Sequence, residues 1–137
     1  MAGWKWLYFS PGAFSGDARR SAELNRGAYL VRALGHCGEC HTPRNFLGGP
    51  SRERFLAGTL KGPDGKSAPN LTPTRLKKWS GAELKDILQT GLMPDGDVIA
   101  ETMAEVVRNT TAKLTPADLG AMIAYLRSLS PLPEPKE

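Results

Sequence analysis

The pentapeptide Cys37-Gly38-Glu39-Cys40-His41 constrains the fold of this chain more than any other feature of its sequence. On a helical turn, residues three positions apart face the same side, so Cys37 and Cys40 can both bond to the vinyl groups of one porphyrin as thioethers. His41 then lies beside the ring and can present a nitrogen to its iron. C-x-x-C-H is the attachment sequence of c-type haem. The sequence therefore predicts one haem c, bound covalently through Cys37 and Cys40, with His41 as an axial ligand.

Two interpretations of the pentapeptide need no haem. A zinc site requires about four ligands, and the only others nearby in the sequence are His36 and carboxylates. A redox-active dithiol is expected near a βαβ pattern, and no convincing strands are predicted here. A haemless thiol or zinc domain is therefore kept only as an alternative.

The composition favours a single domain that needs additional apolar bulk in its core. Of its 137 residues, 40% are hydrophobic and 7% aromatic, and the chain contains 15 glycines and 11 prolines. This is a modest supply of core residues for the length, and a buried porphyrin would add to it. We predict an all-α domain of about four helices wrapped around one haem, with long loops.

Charge is divided unevenly along the chain. Residues 1–80 hold thirteen Lys and Arg against five Asp and Glu, whereas residues 81–137 hold five against nine. The most basic stretch runs from Arg44 to Lys78. A charged run is ordinarily a solvated face, but a positive surface beside a redox centre would steer an acidic partner protein to it. The stretch is rich in glycine and proline and lacks the aromatic platform or reading helix of a nucleic-acid-binding protein.

Three segments are expected: an N-terminal arm (1–18), a helical domain (19–131) and a Pro-rich tail (132–137), which we expect to be mobile. Within the domain, Ser80 and Glu83 form a capping box, and Thr115 followed by Pro116 is typical of a helix start. An apolar stripe marks the first helix, which Gly35 ends. The predicted helices run from Asp17 or Ser21 to Leu34, near Ser51–Leu56, from Ser80 to Gly91, and from Thr115 to about Ser130.

The arm carries aromatic residues whose role the sequence leaves open. Trp4, Trp6, Tyr8 and Phe9 beside Lys5 would suit a membrane interface next to a transmembrane helix, and would equally suit an arm that packs on the domain or a partner. Thioether attachment of haem takes place outside the cytoplasmic membrane in bacteria, so we expect a periplasmic protein. The arm lacks the apolar region of a signal peptide, from which we expect that an export signal or membrane anchor was removed.

Residues near both ends of the domain resemble the class I c-type cytochromes. Gly27-Ala28-Tyr29 and Ala124-Tyr125-Leu126-Arg127-Ser128-Leu129 match the first and last helices of that fold. The resemblance implies that these helices cross at right angles, with Gly27 at the contact and Tyr29 and Tyr125 beside it.

A narrower resemblance links residues 21–131 to the cytochrome subunits of membrane-associated dehydrogenases. It rests on the stretch from Gly35 to Arg44 and on Ala68-Pro69-Asn70-Leu71-Thr72-Pro73. Those subunits take electrons from sugar, alcohol or aldehyde oxidation and often carry several haem motifs, whereas this chain has one. The resemblance implies an electron carrier, not an enzyme, between a dehydrogenase and a terminal acceptor such as an oxidase or another cytochrome.

A methionine as second axial ligand would make the iron a closed, electron-transferring centre. We choose Met103, because enough chain separates it from the last helix to cross the haem, and because residues 103–107 resemble the ligand segment of the dehydrogenase cytochromes. Ile99, Met103, Val106 and Val107 also fit a helical stripe, so a core position is the alternative for Met103.

Other candidates for the distal face are weaker. Met93 precedes Pro94, as in many class I ligand motifs, but it lies in a predicted turn directly after the end of a helix. Met122 fits the apolar stripe of the last helix. His36 lies on the same turn as Cys37 and cannot reach the opposite face of the haem. If neither Met93 nor Met103 binds iron, the alternative is a haem protein with an open sixth site, either peroxidase-like or gas-binding.

The remaining site residues follow from the same resemblance. His41 needs an acceptor for its other ring N–H, and the resemblance implies a backbone carbonyl in the loop after the pentapeptide, for which we choose Pro69. Arg44, Asn70 and Trp79 are the candidate contacts of the haem propionates. For Trp79, a position in the hydrophobic core without any haem contact is an equally good interpretation.

Overall fold

Short helices joined by loops make up the protein, and residues 2–99 and 101–136 contain no β-strand. These are the residues that the computed structural model describes, so Met1 and Glu137, at the ends of the predicted arm and tail, lie outside it. Two 3₁₀ turns, at Arg52–Arg54 and Thr111–Lys113, accompany the helices. The α-helices are α1 (Ala2–Tyr8), α2 (Ala22–Tyr29), α3 (Cys37–His41), α4 (Pro73–Leu76), α5 (Gly81–Thr90), α6 (Glu101–Asn109) and α7 (Pro116–Ser128).

The core is built on the contact between α2 and α7. A Cβ atom at Gly27 would lie 2.0 Å from the carbonyl oxygen of Ala121 and 2.7 Å from the Cβ of Tyr125, so only glycine permits this approach. Arg26 and Asp118 form an ion pair across the same contact. Gly27 and Tyr125 thus meet as the resemblance implies. The helices α4 and α5 also pack on α7.

The helices with clear start and stop signals lie where the sequence predicts them. The Ser80 hydroxyl accepts from the Glu83 N–H and the Glu83 carboxylate accepts from the Ser80 N–H, which completes the capping box of α5. The hydroxyl of Thr115 caps α7 by accepting from Asp118. The first predicted helix is α2, continued by a π-helical turn over Leu30–Leu34.

Three helices go beyond the predicted set. Both α1 and α4 are short, and α4 begins with the Thr72-Pro73 pair, the same start signal as Thr115-Pro116. A helix of four residues gives too short a pattern to be recognised among the surrounding glycines and prolines. The third helix, α6, contains Met103, Val106 and Val107, whose helical spacing is evident in the sequence. The structure therefore has more helices and shorter loops than the predicted four-helix arrangement.

The arm and the tail both contact the domain. The Trp4 indole N–H donates to the Leu47 carbonyl at 2.9 Å, and the Tyr8 hydroxyl accepts from Asn45 at 2.9 Å. Trp6 stays 84% exposed. In the tail, the Leu132 N–H donates to the Thr72 hydroxyl and the Leu132 carbonyl accepts from the Asn70 amide, while the mobility of the tail stays a prediction. Among the described residues, no helix is both long enough and apolar enough to cross a bilayer.

Candidate functional site

A largely apolar cavity of about 410 Å³ lies between the helices and the loop that follows α3. Its volume falls in the range of roughly 300–1,000 Å³ found for cofactor sites. The pentapeptide, the π-helical turn, and helices α4 to α7 all contribute to its wall. Apolar residues in that wall include Leu30, Leu76, Leu84, Ile87, Ile99 and Leu126.

Both cysteines of the pentapeptide line the cavity. They lie on α3, one helical turn long, which follows His36 in a left-handed backbone conformation (φ 49°). The Cys40 thiol is exposed and the Cys37 thiol half-buried. Burial raises the pKa of Cys37 to about 11. The thiolate is the reactive form in disulfide exchange, so this shift argues against a redox dithiol.

His41 is buried and its ring is held by one hydrogen bond. Its Nδ1 lies 2.8 Å from the carbonyl oxygen of Pro69, which can only accept, so Nδ1 carries the proton. This is the acceptor chosen from the sequence. Burial lowers the pKa of His41, although the bond to Pro69 opposes the shift. The ring is therefore neutral near pH 7, with Nε2 left as the lone-pair nitrogen that a metal can bind.

Three methionines contribute to the cavity wall: Met93, Met103 and Met122. Met103 lies in the first turn of α6 and is half-buried. Met93 opens a tight turn in which its N–H donates to the Asp97 carbonyl at 2.8 Å. Met122 is buried in the core on α7. The helix α3 packs on the π-helical turn, whereas α6 packs on α5 and the 111–113 turn, so the pentapeptide and Met103 reach the cavity from elements with different packing partners.

Charged and aromatic residues mark the edge of the cavity. Trp79 is half-buried in the wall, and the Lys78 ammonium lies 4.3 Å from the centre of its ring. Arg75, four residues earlier, and Lys66 also line the cavity. Neither of these two was identified from the sequence. The Thr72-Pro73 start signal would have placed Arg75 on a short helix that ends shortly before Trp79.

Two residues suggested as propionate contacts are engaged elsewhere. The Arg44 guanidinium donates to the Glu39 carboxylate at 2.7 Å and to the Gly48 carbonyl at 2.8 Å, outside the cavity wall. Asn70 lines the cavity but is fully buried, and its amide bonds to Thr72 and Leu132. Both side chains thus make local hydrogen bonds, and their assignment as propionate contacts stays a prediction.

The donor set fits a porphyrin iron better than a bare metal ion. Within residues 2–99 and 101–136, no three side chains of His, Cys, Asp or Glu gather closely enough to hold a metal, which leaves the zinc alternative without ligands there. A neutral, oriented imidazole and two thiols share an apolar cavity that also contains thioether side chains. These are the groups that a covalently attached haem requires.

Comparison with known proteins points the same way. The sequence model for cytochrome c matches residues 24–130. A diheme cytochrome c-type protein of Cereibacter sphaeroides is 45% identical over 129 residues, which cover 93% of this chain and 42% of that protein. The fructose dehydrogenase cytochrome subunit of Gluconobacter japonicus is 40% identical over 116 residues, covering 82% of this chain and 23% of that protein.

A third relative is one of the subunits of nicotinate dehydrogenase from Pseudomonas putida, 40% identical over 137 residues that cover 98% of this chain and 11% of the relative. The chain thus spans less than half the length of each of these relatives. The family match covers the α2–α7 contact, the pentapeptide and the cavity together. This all-α chain belongs to the cytochrome c family.

Proposed function

We propose that this chain is a periplasmic, monohaem electron carrier that passes single electrons from a dehydrogenase to a terminal acceptor, such as an oxidase or another cytochrome. The observation that carries the proposal is the hydrogen bond between His41 Nδ1 and the Pro69 carbonyl, inside the cavity that both pentapeptide cysteines line. It orients a neutral imidazole so that Nε2 remains to bind iron. The bound haem would supply reversible one-electron chemistry at that iron.

Each residue of the site has a separate task in this proposal. Cys37 and Cys40 would hold the porphyrin by thioether bonds, and His41 would provide one nitrogen ligand to the iron. The apolar wall excludes water, which favours a fixed ligand set over exchange with solvent. Arg44, Asn70 and Trp79 are the proposed contacts of the haem propionates, and Arg75, which lines the cavity, is a further candidate.

Met103 is the proposed second axial ligand. It lies on α6, whose residues Thr102, Met103 and Val106 all line the cavity. Met93 also lines the cavity and remains the competing thioether. Ligation by either one would close the sixth site, as an electron carrier requires, and would argue against the peroxidase-like or gas-binding alternative.

The names of the relatives support a dehydrogenase as the electron donor. Alcohol and gluconate dehydrogenase cytochrome subunits are also 37% and 34% identical to the chain. Such a partner would present an acidic docking surface, because Lys77 and Lys78 are exposed beside Leu76 and Trp79 of the cavity wall.

The test is to export the chain in a host that attaches c-type haem and to analyse the purified protein. We expect one haem per chain by mass, haem that resists extraction with acidified acetone, and a sulfur-to-iron absorption band in the oxidised state. Extractable haem or none would refute the proposal. Covalent haem without that band, together with binding of carbon monoxide, would support the open-site alternative.

A further inference from the structure

The Pro69 carbonyl that orients His41 lies in a tightly framed segment. Thr59 and Ala68 exchange two backbone hydrogen bonds of 2.9 Å, and the Leu71 N–H donates to the Leu56 carbonyl at 2.8 Å. Gly58 has φ +80°, and a Cβ atom there would lie 2.9 Å from the carbonyl carbon of Pro69. The Pro69 peptide, whose carbonyl accepts the hydrogen bond from His41, is thus held in place by neighbouring backbone.

On the outer side, the same peptide is followed by two fully buried polar residues. Asn70 and Thr72 each have 0% exposure. The Asn70 Oδ1 accepts from both the N–H and the hydroxyl of Thr72, each at 2.7 Å. Thr72 is the N-cap residue of α4, yet its side chain makes no capping bond, so its hydroxyl serves another contact.

That contact is with the C-terminal segment. The Leu132 N–H donates to the Thr72 hydroxyl at 3.1 Å, and the Asn70 amide donates to the Leu132 carbonyl at 2.9 Å. Asn70, Thr72 and Leu132 therefore form a closed ring of hydrogen bonds. Farther out, Arg54 donates to the Pro133 carbonyl at 3.1 Å, and Arg75 lies 4.0 Å from the Glu134 carboxylate. Prolines at 131, 133 and 135 lower the entropy lost when this segment is ordered.

We propose that residues 131–134 form a strap that fixes the proximal side of the haem site, with Asn70 and Thr72 as positioning residues that hold the Pro69 carbonyl against His41. The inference rests on the proposed haem site. It adds that residues outside the cavity help to set the geometry of that site. A bond from Nδ1–H to a carbonyl raises the basicity of a ligating imidazole and so favours oxidised iron. Loosening the strap should weaken that bond.

The experiment uses the haem-loaded protein and two different lesions. Thr72→Val keeps the side-chain volume and breaks the ring, whereas deletion of residues 131–137 removes the strap and changes no buried Asn or Thr. Exchange of the His41 Nδ1 proton with deuterium, followed by NMR of the reduced protein, should be about tenfold faster in both. The reduction potential should rise in both.

Two variants serve as controls. Thr72→Ser restores the hydroxyl and should return both readouts to the wild-type values. Thr74→Val makes the same substitution two residues away, where the side chain forms no hydrogen bond within the described residues. It should leave both readouts unchanged.

Unchanged proton exchange and potential in both lesions would overturn the proposal. A fall in potential would overturn it too, since water entering the cavity would be the cause. If both lesions prevented folding of the haem domain, the segment would be needed for folding and the positioning role would be lost. A wild-type protein without covalent haem would refute the proposed function itself, an outcome distinct from all of these.

Discussion

Single side chains decide which class of haem protein this chain can form. Met93 and Met103 both line the cavity, Met93 from the turn after α5 and Met103 from α6. If Met103 ligates the iron, Met103→Ala should abolish the sulfur-to-iron band and lower the reduction potential, because a thioether favours reduced iron. The variant should also bind carbon monoxide. Absorption spectroscopy and a redox titration measure these changes.

Met93→Ala is the matched control at this scale. Met93 opens a turn held by backbone hydrogen bonds to Asp97 and Gly96, so its loss should keep the band and change the free energy of unfolding only slightly. The reverse pattern would assign the ligand to Met93. An unchanged spectrum in both variants would contradict methionine ligation by either residue.

At the scale of the helices, the α2–α7 contact depends on one missing Cβ. Gly27→Ala should lower the free energy of unfolding by about 2–3 kcal/mol, because the new methyl group would overlap the Ala121 carbonyl and push two helices apart. Gly120→Ala on α7 has no atom within 4 Å of the added Cβ and should raise stability by about 0.5–1 kcal/mol. Denaturant titrations compare the two. Equal changes in the free energy of unfolding for the two variants would show that α2 and α7 can move apart without loss of stability.

The ion pair across the same contact gives the stability a pH dependence. The Arg26 guanidinium donates to both oxygens of Asp118, at 2.7 and 3.0 Å, and holds the pKa of Asp118 below its ordinary value. The pair therefore stabilises the fold above the unfolded-state pKa of this carboxyl, and the contribution is lost as pH falls through the folded-state pKa.

Arg26→Gln should lower the free energy of unfolding at pH 7 by a small amount, as for other exposed pairs. The difference from wild type should vanish in acid, as Asp118 becomes protonated. Arg108→Gln, on the exposed surface of α6, should show no such convergence. Unfolding curves at a series of pH values provide the comparison, and a difference that persists in acid would point to lost packing of Arg26 instead.

At the scale of the whole molecule, the uneven charge should govern encounters with redox partners. Oxidation of the reduced protein by ferricyanide, an anion, should slow as salt rises. Lys77→Glu with Lys78→Glu should slow the reaction several-fold at low salt, since both residues adjoin the cavity wall. The rate of reaction with a cationic reagent such as hexaammineruthenium should instead increase as salt rises, and should be higher in the double variant than in the wild type at low salt.

Lys5→Glu with Lys136→Glu carries the same change in net charge at positions outside the cavity wall. It should affect these rates much less. Equal effects of the two double variants in stopped-flow measurements would mean that net charge alone matters, and that Lys77 and Lys78 form no docking surface.

Much of the fold could be predicted because its signals are local. The capping box at Ser80 and Glu83 and the Thr115-Pro116 start each specify a helix from a few consecutive residues. The pairing of His41 with Pro69 came from a family resemblance, and the structure contains that hydrogen bond. The role of Arg44 stays a prediction, because a positive charge near the pentapeptide does not reveal which acceptors it will meet. Glu39 and Gly48 supply them only after the loop has closed.

The sequence by itself determined the chemistry of the site and the ends of its best-signalled helices. Haem attachment and capping depend on residues a few positions apart, whose spacing fixes their geometry on a helical turn. Tertiary structure alone decided which distant side chains share the cavity, including Arg75 and Lys66 at its edge. It also decided that Leu132 closes a ring with Asn70 and Thr72, because hydrogen bonds between residues some 60 positions apart form only once packing has brought them together.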